Sequence, residues 1–286
     1  MHPTLEIQYA GPVATLWMNR PELHNAFNPQ LIADLTAACH ALDANDTVRV
    51  VILAGRGKSF SAGADLNWMQ AAGQASVADN IEDARRLATM LRTLAELRKP
   101  TIARVHGAAL GGGLGLAAAC DLCVAATGAV FATSEVRFGI IPATIAPYVI
   151  RAIGARQASR YFQTAERVDA QRAWEIGLVH ELATPEDLDR KVQQLTDALL
   201  LGGPQAQAAA KALIRAVAGQ AISDELMEDT AHRIAALRAT AEAREGLAAF
   251  LEKRRPAWIA PSPSPSPPTP LPKGEGSETG HNRAEN

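Results

Sequence analysis

Twice in this chain an apolar run ends directly in a cluster of glycine and other small residues: Val50-Val51-Ile52-Leu53-Ala54 runs through Gly55 and Gly57 into Ser59–Leu66, and Thr101–Val105 into Gly107–Gly115. A continuous apolar, β-branched run has the pattern of a strand covered on both faces, the usual state of a strand in a parallel sheet. Small residues after such a strand let backbone N–H groups approach a ligand that larger side chains would hold off. Strands and helices keep alternating around these two segments, which predicts an α/β core with backbone N–H groups presented where its strands end.

The remaining pattern agrees with that core. Thr4–Tyr9 and Val13–Met18 read as a hairpin around Ala10-Gly11-Pro12. Asn28-Pro29 opens a helix that repeats Leu31, Leu35, Ala38 and Leu42 on one face. A second amphipathic helix is expected from about 79 to 98, ended by Pro100, and strands near Leu122–Ala126 and 129–133. Beyond about Pro185 the periodicity is helical only. We expect residues 1–195 to form the core, 196–258 a C-terminal α-helical subdomain, and 259–286, with its Pro/Ser repeat, a disordered tail without catalytic role.

Composition narrows the function. A net charge of -2 with 20% charged residues lacks the basic excess that a nucleic-acid phosphate backbone requires. Cys39, Cys120 and Cys123 are an odd set without framework spacing, and neither a leader nor a membrane-spanning run is apparent, so a reduced, cytoplasmic setting is expected. Cys120 and Cys123 have C-x-x-C spacing but no second pair or histidine cluster, which favours two buried side chains over a metal site. No metal is expected.

Three chemical readings of the glycine segments compete. Gly57-Lys58-Ser59 would end a Walker A loop only with a glycine at position 52, which is Ile52. Gly113-Leu114-Gly115-Leu116-Ala117-Ala118 fits a degenerate dinucleotide fingerprint with Glu135 twenty positions on, but that acid should close the very next strand, and here another strand intervenes. The third reading places a developing oxyanion at backbone amides where a helix begins, with the positive end of its dipole. Glu135, in Phe131-Ala132-Thr133-Ser134-Glu135-Val136-Arg137-Phe138-Gly139, would then be a partly desolvated acid/base, unless it merely starts a helix or pairs with Arg137.

These segments, together with Asn19-Arg20-Pro21-Glu22-Leu23-His24-Asn25-Ala26-Phe27, resemble in order and separation the crotonase, or enoyl-CoA hydratase/isomerase, superfamily over about residues 4–258. The resemblance implies a spiral of strand-strand-helix repeats with a helical C-terminal region, and assembly into trimers or dimers of trimers. It implies an acyl-CoA thioester as substrate, coenzyme A being part of that substrate and no separate cofactor being needed. The thioester oxygen would be held by the N–H groups of Ala62 and Gly112, with Glu135 moving the proton. Ala62, Gly63, Ala64, Asp65 and Leu66 would lie against the adenine end of CoA, and Leu23 and His24 near its entrance.

The sequence departs from the two-glutamate hydratases of that family, because Gly115 stands at the first of the two positions. One carboxylate suits either a Δ3-Δ2 isomerase or a hydratase that works differently. The run Ser134–Ile150, with Gly113-Leu114-Gly115, is similar to the bacterial methylglutaconyl-CoA and carboxygeranoyl-CoA hydratases, which also lack the first glutamate. That similarity implies hydration of a branched 3-methyl enoyl-CoA bearing a second carboxylate, for which Arg137 is a candidate partner.

Overall fold

The structure is a computed structural model and describes residues 2–259. In chain order the elements are β1 (Leu5–Ala10), β2 (Val13–Met18), α1 (Pro29–Ala44), β3 (Val50–Gly55), α2 (Leu66–Gln74), α3 (Val77–Glu96), β4 (Thr101–Val105), β5 (Ala108–Leu110), α4 (Gly112–Ala119), β6 (Leu122–Ala126), β7 (Val130–Ala132), α5 (Ala146–Thr164), β8 (Val168–Asp169), α6 (Ala170–Glu175), β9 (Glu181–Ala183), α7 (Leu188–Leu200), α8 (Pro204–Val217), α9 (Asp224–Arg238) and α10 (Ala241–Leu251).

A six-stranded sheet has the order β1-β2-β3-β4-β6-β9, and a smaller sheet the order β5-β7-β8. Only β1 is antiparallel in the large sheet, through the hairpin register Leu5↔Met18 to Ala10↔Val13. The strands β4 and β6 each pass to a second strand, β5 and β7, in the smaller sheet before the chain turns into a helix. This is the expected strand-strand-helix repeat.

Alternation along the strands divides the core. Ala14, Leu16, Val51, Leu53, Ala103 and Val105 face the cluster shared with α1, α3 and α4. Val13, Val50, Ile52, Ile102 and Val124 face the other way, onto Leu188 and Val192 of α7. Both faces are thus covered, which is why β3 is buried at every position and reads as an unbroken apolar run. α1 begins where expected, with the Asn28 side chain accepting the Leu31 N–H at 2.9 Å.

Two expectations shift. The boundary placed at 195/196 cuts α7, whose Leu188, Val192 and Thr196 are all buried, the first two against the sheet. The helical extension therefore starts at Leu201, after α7. It is joined to the core by Arg49, which donates to the Gly202 carbonyl at 2.5 Å, and by Lys211, paired with Asp121 at 2.7 Å. The expected tail from 259 lies, apart from its first residue, outside the described residues. α2 was not anticipated: it is short and none of its side chains is fully buried, Trp68 packing against the core only in part. Among the described residues no helix is long and apolar enough to cross a membrane.

Candidate active site

Asn25 anchors the first glycine-rich segment. It is fully buried, with φ at 54°, and its side-chain amide donates to the carbonyls of Arg56 and Ser59, both at 2.9 Å. Its carbonyl accepts the Ser61 hydroxyl, also at 2.9 Å. Each buried polar group is satisfied by the turn it holds, so this residue fixes the loop rather than serving a ligand. Sequence reasoning did not single it out, although it lies in the Asn19–Phe27 stretch.

The segment then pairs on two sides. Ser61 bridges to Ala109 of β5, taking the Leu110 N–H and giving its own N–H to Ala108. Ala64 bridges to Phe27: the Phe27 N–H donates to the Gly63 carbonyl at 2.6 Å, and the Asp65 N–H donates to the Phe27 carbonyl at 2.8 Å. In a parallel bridge of this kind the central residue's own N–H points away from its partner chain. The Ala64 N–H is therefore turned from Phe27, and among the described residues nothing accepts it.

This corrects the expected donor. The Ala62 N–H is already committed to the His24 carbonyl at 2.9 Å, a bond that ties the Pro21–His24 turn to the loop. The amide available in the Ala62-Gly63-Ala64-Asp65 sequence belongs to Ala64, two positions later, which repeats the strand-like alternation of the backbone.

The second segment meets the first through Gly63 and Gly111. A Cβ on Gly111 would lie 4.0 Å from Gly63 Cα and 3.2 Å from Glu135 Oε1, so both loops and the carboxylate converge on one point. Gly112 opens α4, and its N–H has no carbonyl within the helix to meet. The helix dipole adds partial positive charge there.

Glu135 is the first residue of a 3-10 turn, Glu135–Phe138, that follows β7. It does not pair with Arg137, whose side chain is exposed and has no ion-pair partner among the described residues. Glu135 Oε2 is buried without a hydrogen-bond partner. Burial accordingly raises its pKa above the usual carboxylate range, its own backbone N–H opposing that in part.

The other candidates divide. Leu23, His24 and Leu66 are exposed around the first loop, with His24 Nδ1 3.1 Å from the Ser59 hydroxyl. Asp65 is buried and bound to Arg20 at 2.9 Å while capping α2 through the Asn67 N–H. Its carboxylate is thereby occupied. Asp65→Ala should cost about 3 kcal/mol, because the largely buried Arg20 would lose its ion pair and keep, among the described residues, only the Ala26 carbonyl as acceptor; chemical denaturation would measure it. Gly115 is packed against Ile145. Cys120 and Cys123 are buried free thiols, the latter pushed up to about 12 by burial, and among the described residues no cluster of three or more His, Cys, Asp or Glu could hold a metal.

Known proteins resemble this chain in sequence and in fold. A family model described as enoyl-CoA hydratase/isomerase matches residues 8–261. An enoyl-CoA hydratase structure from Shewanella pealeana superposes with a TM-score of 0.88 at 41% identity, over 90% of this chain and 96% of that one. A crotonyl-CoA hydratase of Syntrophomonas wolfei is 34% identical, covering 87% of this chain and 95% of its own. A trans-2-decenoyl-[acyl-carrier-protein] isomerase of Streptococcus mutans is 31% identical, over 85% and 93%. Matched by the family model over most of its length, and by relatives more than 30% identical that cover most of both chains, this chain is an enzyme of the enoyl-CoA hydratase/isomerase family, the crotonase superfamily.

Proposed function

We propose that the protein reversibly hydrates a branched 2-enoyl-CoA carrying a second carboxylate, of the 3-methylglutaconyl-CoA type. The observation that carries the chemistry is the convergence of Glu135 on the Gly63–Gly111 contact, with one carboxylate oxygen unpartnered. The thioester oxygen is held by the N–H groups of Ala64 and Gly112. Glu135 accepts a proton from water as the water oxygen bonds to C3, and electrons move onto the thioester oxygen. The protonated Glu135 then delivers its proton to C2, and the carbonyl re-forms. Fixed donors serve this step because they need no reorganisation as charge develops, each contributing about 3 kcal/mol.

Arg137 supports the choice of a carboxylated substrate. It is an exposed cation two residues from Glu135, free of any ion pair among the described residues. We expect Arg137→Ala to raise KM for 3-methylglutaconyl-CoA by about 10-fold, the loss of one charge-assisted contact, and to leave crotonyl-CoA unaffected. Equal effects on both substrates would remove Arg137 from the proposal. The CoA portion lies along Leu23, His24 and the Gly63–Leu66 segment. The catalytic unit is a homotrimer or a dimer of trimers.

A second reading is favoured by Gly115: one carboxylate suffices to move a proton from C2 to C4, as a Δ3-Δ2 enoyl-CoA isomerase requires. Ultraviolet absorbance of the conjugated thioester separates the two. Loss of absorbance with 3-methylglutaconyl-CoA and little with crotonyl-CoA supports hydration. No loss with either, but a gain from a 3-enoyl-CoA, establishes isomerisation instead.

A further inference from the structure

Two glycines one turn apart at the start of α4, Gly111 capping the helix and Gly115 within it, face different neighbours. The Gly115 N–H donates to the Gly111 carbonyl at 3.0 Å, so the two stand about 6 Å apart along the axis. Gly111 faces the Glu135 carboxylate. A Cβ on Gly115 would instead lie 2.3 Å from Ile145 Cγ2 and 2.8 Å from Ile145 Cβ. Ile145 is 2% exposed and directly precedes α5, which packs on both α4 and the turn bearing Glu135.

We infer that Ile145 is a specificity-determining residue: its side chain fills the space beside α4 into which a group at position 115 would project, and so keeps the reaction centre to one carboxylate. The inference rests on the enoyl-CoA reading above. Ile145 cannot simply swing aside, because its Cβ as well as its branching Cγ2 methyl is within the forbidden distance and protein interiors leave few voids to receive it. Truncation to alanine would leave that Cβ in place, so only glycine at 145 clears the path. Position 145 is the residue before the helix, where glycine is tolerated. Gly115 and Ile145 therefore form a steric pair that must change together.

The full chain carrying Gly115→Glu, Ile145→Gly and both tests this. Gly115→Glu alone should lower the melting temperature by at least ~10 °C, as overpacking and a buried charge coincide. Adding Ile145→Gly should recover about half of that loss, a non-additivity expected only of residues in contact. The double variant should also hydrate crotonyl-CoA at least ~10-fold faster than Ile145→Gly alone, since it regains a second acid/base group. If Gly115→Glu is insoluble, Gly115→Ala with and without Ile145→Gly reports the same coupling.

Gly115→Glu melting with the parent, or the double variant melting no higher than Gly115→Glu, would overturn the steric pair. Recovered stability without faster crotonyl-CoA hydration would overturn the role in specificity. A parent enzyme inactive on every enoyl-CoA would refute the proposed reaction, while the melting coupling would still decide whether Ile145 holds that space.

Discussion

Glu135→Gln should abolish turnover, by ~10³-fold or more, while leaving the protein at least as stable as the parent. Proton transfer by a positioned side chain contributes ~10²- to 10⁴-fold. The upper part of that range applies because position 115, on the neighbouring turn of α4, is a glycine packed against Ile145 and supplies no second acid. Glutamine keeps the shape of the side chain and its place beside Gly111. Steady-state absorbance assays measure the first effect, and thermal unfolding the second. A variant retaining a tenth of the parent rate would show that Glu135 is not the proton carrier.

The stability half of that result has a definite pH dependence. Burial raises the folded-state pKa of Glu135 above its unfolded value of about 4.5, so the folded protein binds this proton more tightly than the unfolded chain does. The ionised carboxylate then opposes folding at pH values above its folded pKa, and the penalty disappears as pH falls below the unfolded value. The Gln variant should consequently melt higher than the parent at neutral pH and converge with it near pH 4. Proton abstraction by Glu135 in the proposed reaction needs the ionised form as base, so kcat should fall with acidification at a pH above the normal carboxylate range.

Much of this site could be read from residue order, and the parts that could not share a cause. β3, β4 and the two glycine segments announce themselves because burial on both faces demands apolar runs and close backbone approach demands small residues. Glu135 stood out as a carboxylate among apolar neighbours. The identity of the free amide did not: Ala62 and Ala64 are the same residue type two positions apart, and only the pairing of Phe27 with Gly63 and Asp65 decides which N–H is spent. The Arg20–Asp65 pair spans 45 residues, and the Gly115–Ile145 contact 30, so no local periodicity records them. The end of the core was misplaced within α7 because its apolar stripe resembles that of the helices after it; only the sheet beneath shows that its apolar face is core.

Gly113→Ala should reduce both stability and turnover sharply, for a reason that lies in the meeting of the two loops. A Cβ at Gly113 would fall 2.4 Å from the Ser61 carbonyl oxygen and 2.9 Å from Ser61 Cβ. The first obstacle is backbone, and it is already fixed by accepting the Leu110 N–H at 2.9 Å, so it has no side-chain torsion through which to yield. Either that bond breaks or α4 moves outward with Gly112 at its head. Overpacking of this kind costs about 3 kcal/mol. The accompanying shift separates the Gly112 and Ala64 amides, and a displacement of about 1 Å at such donors is worth ~10²-fold in rate. The rate loss should appear in kcat more than in KM, because the donors act most strongly on the charge that develops during reaction. Denaturant unfolding together with saturation kinetics tests this. A Gly113→Ala enzyme that is destabilised yet keeps the parent kcat would mean that the loops close on each other for the sake of the fold alone, and that the amides of Ala64 and Gly112 do not hold the thioester oxygen.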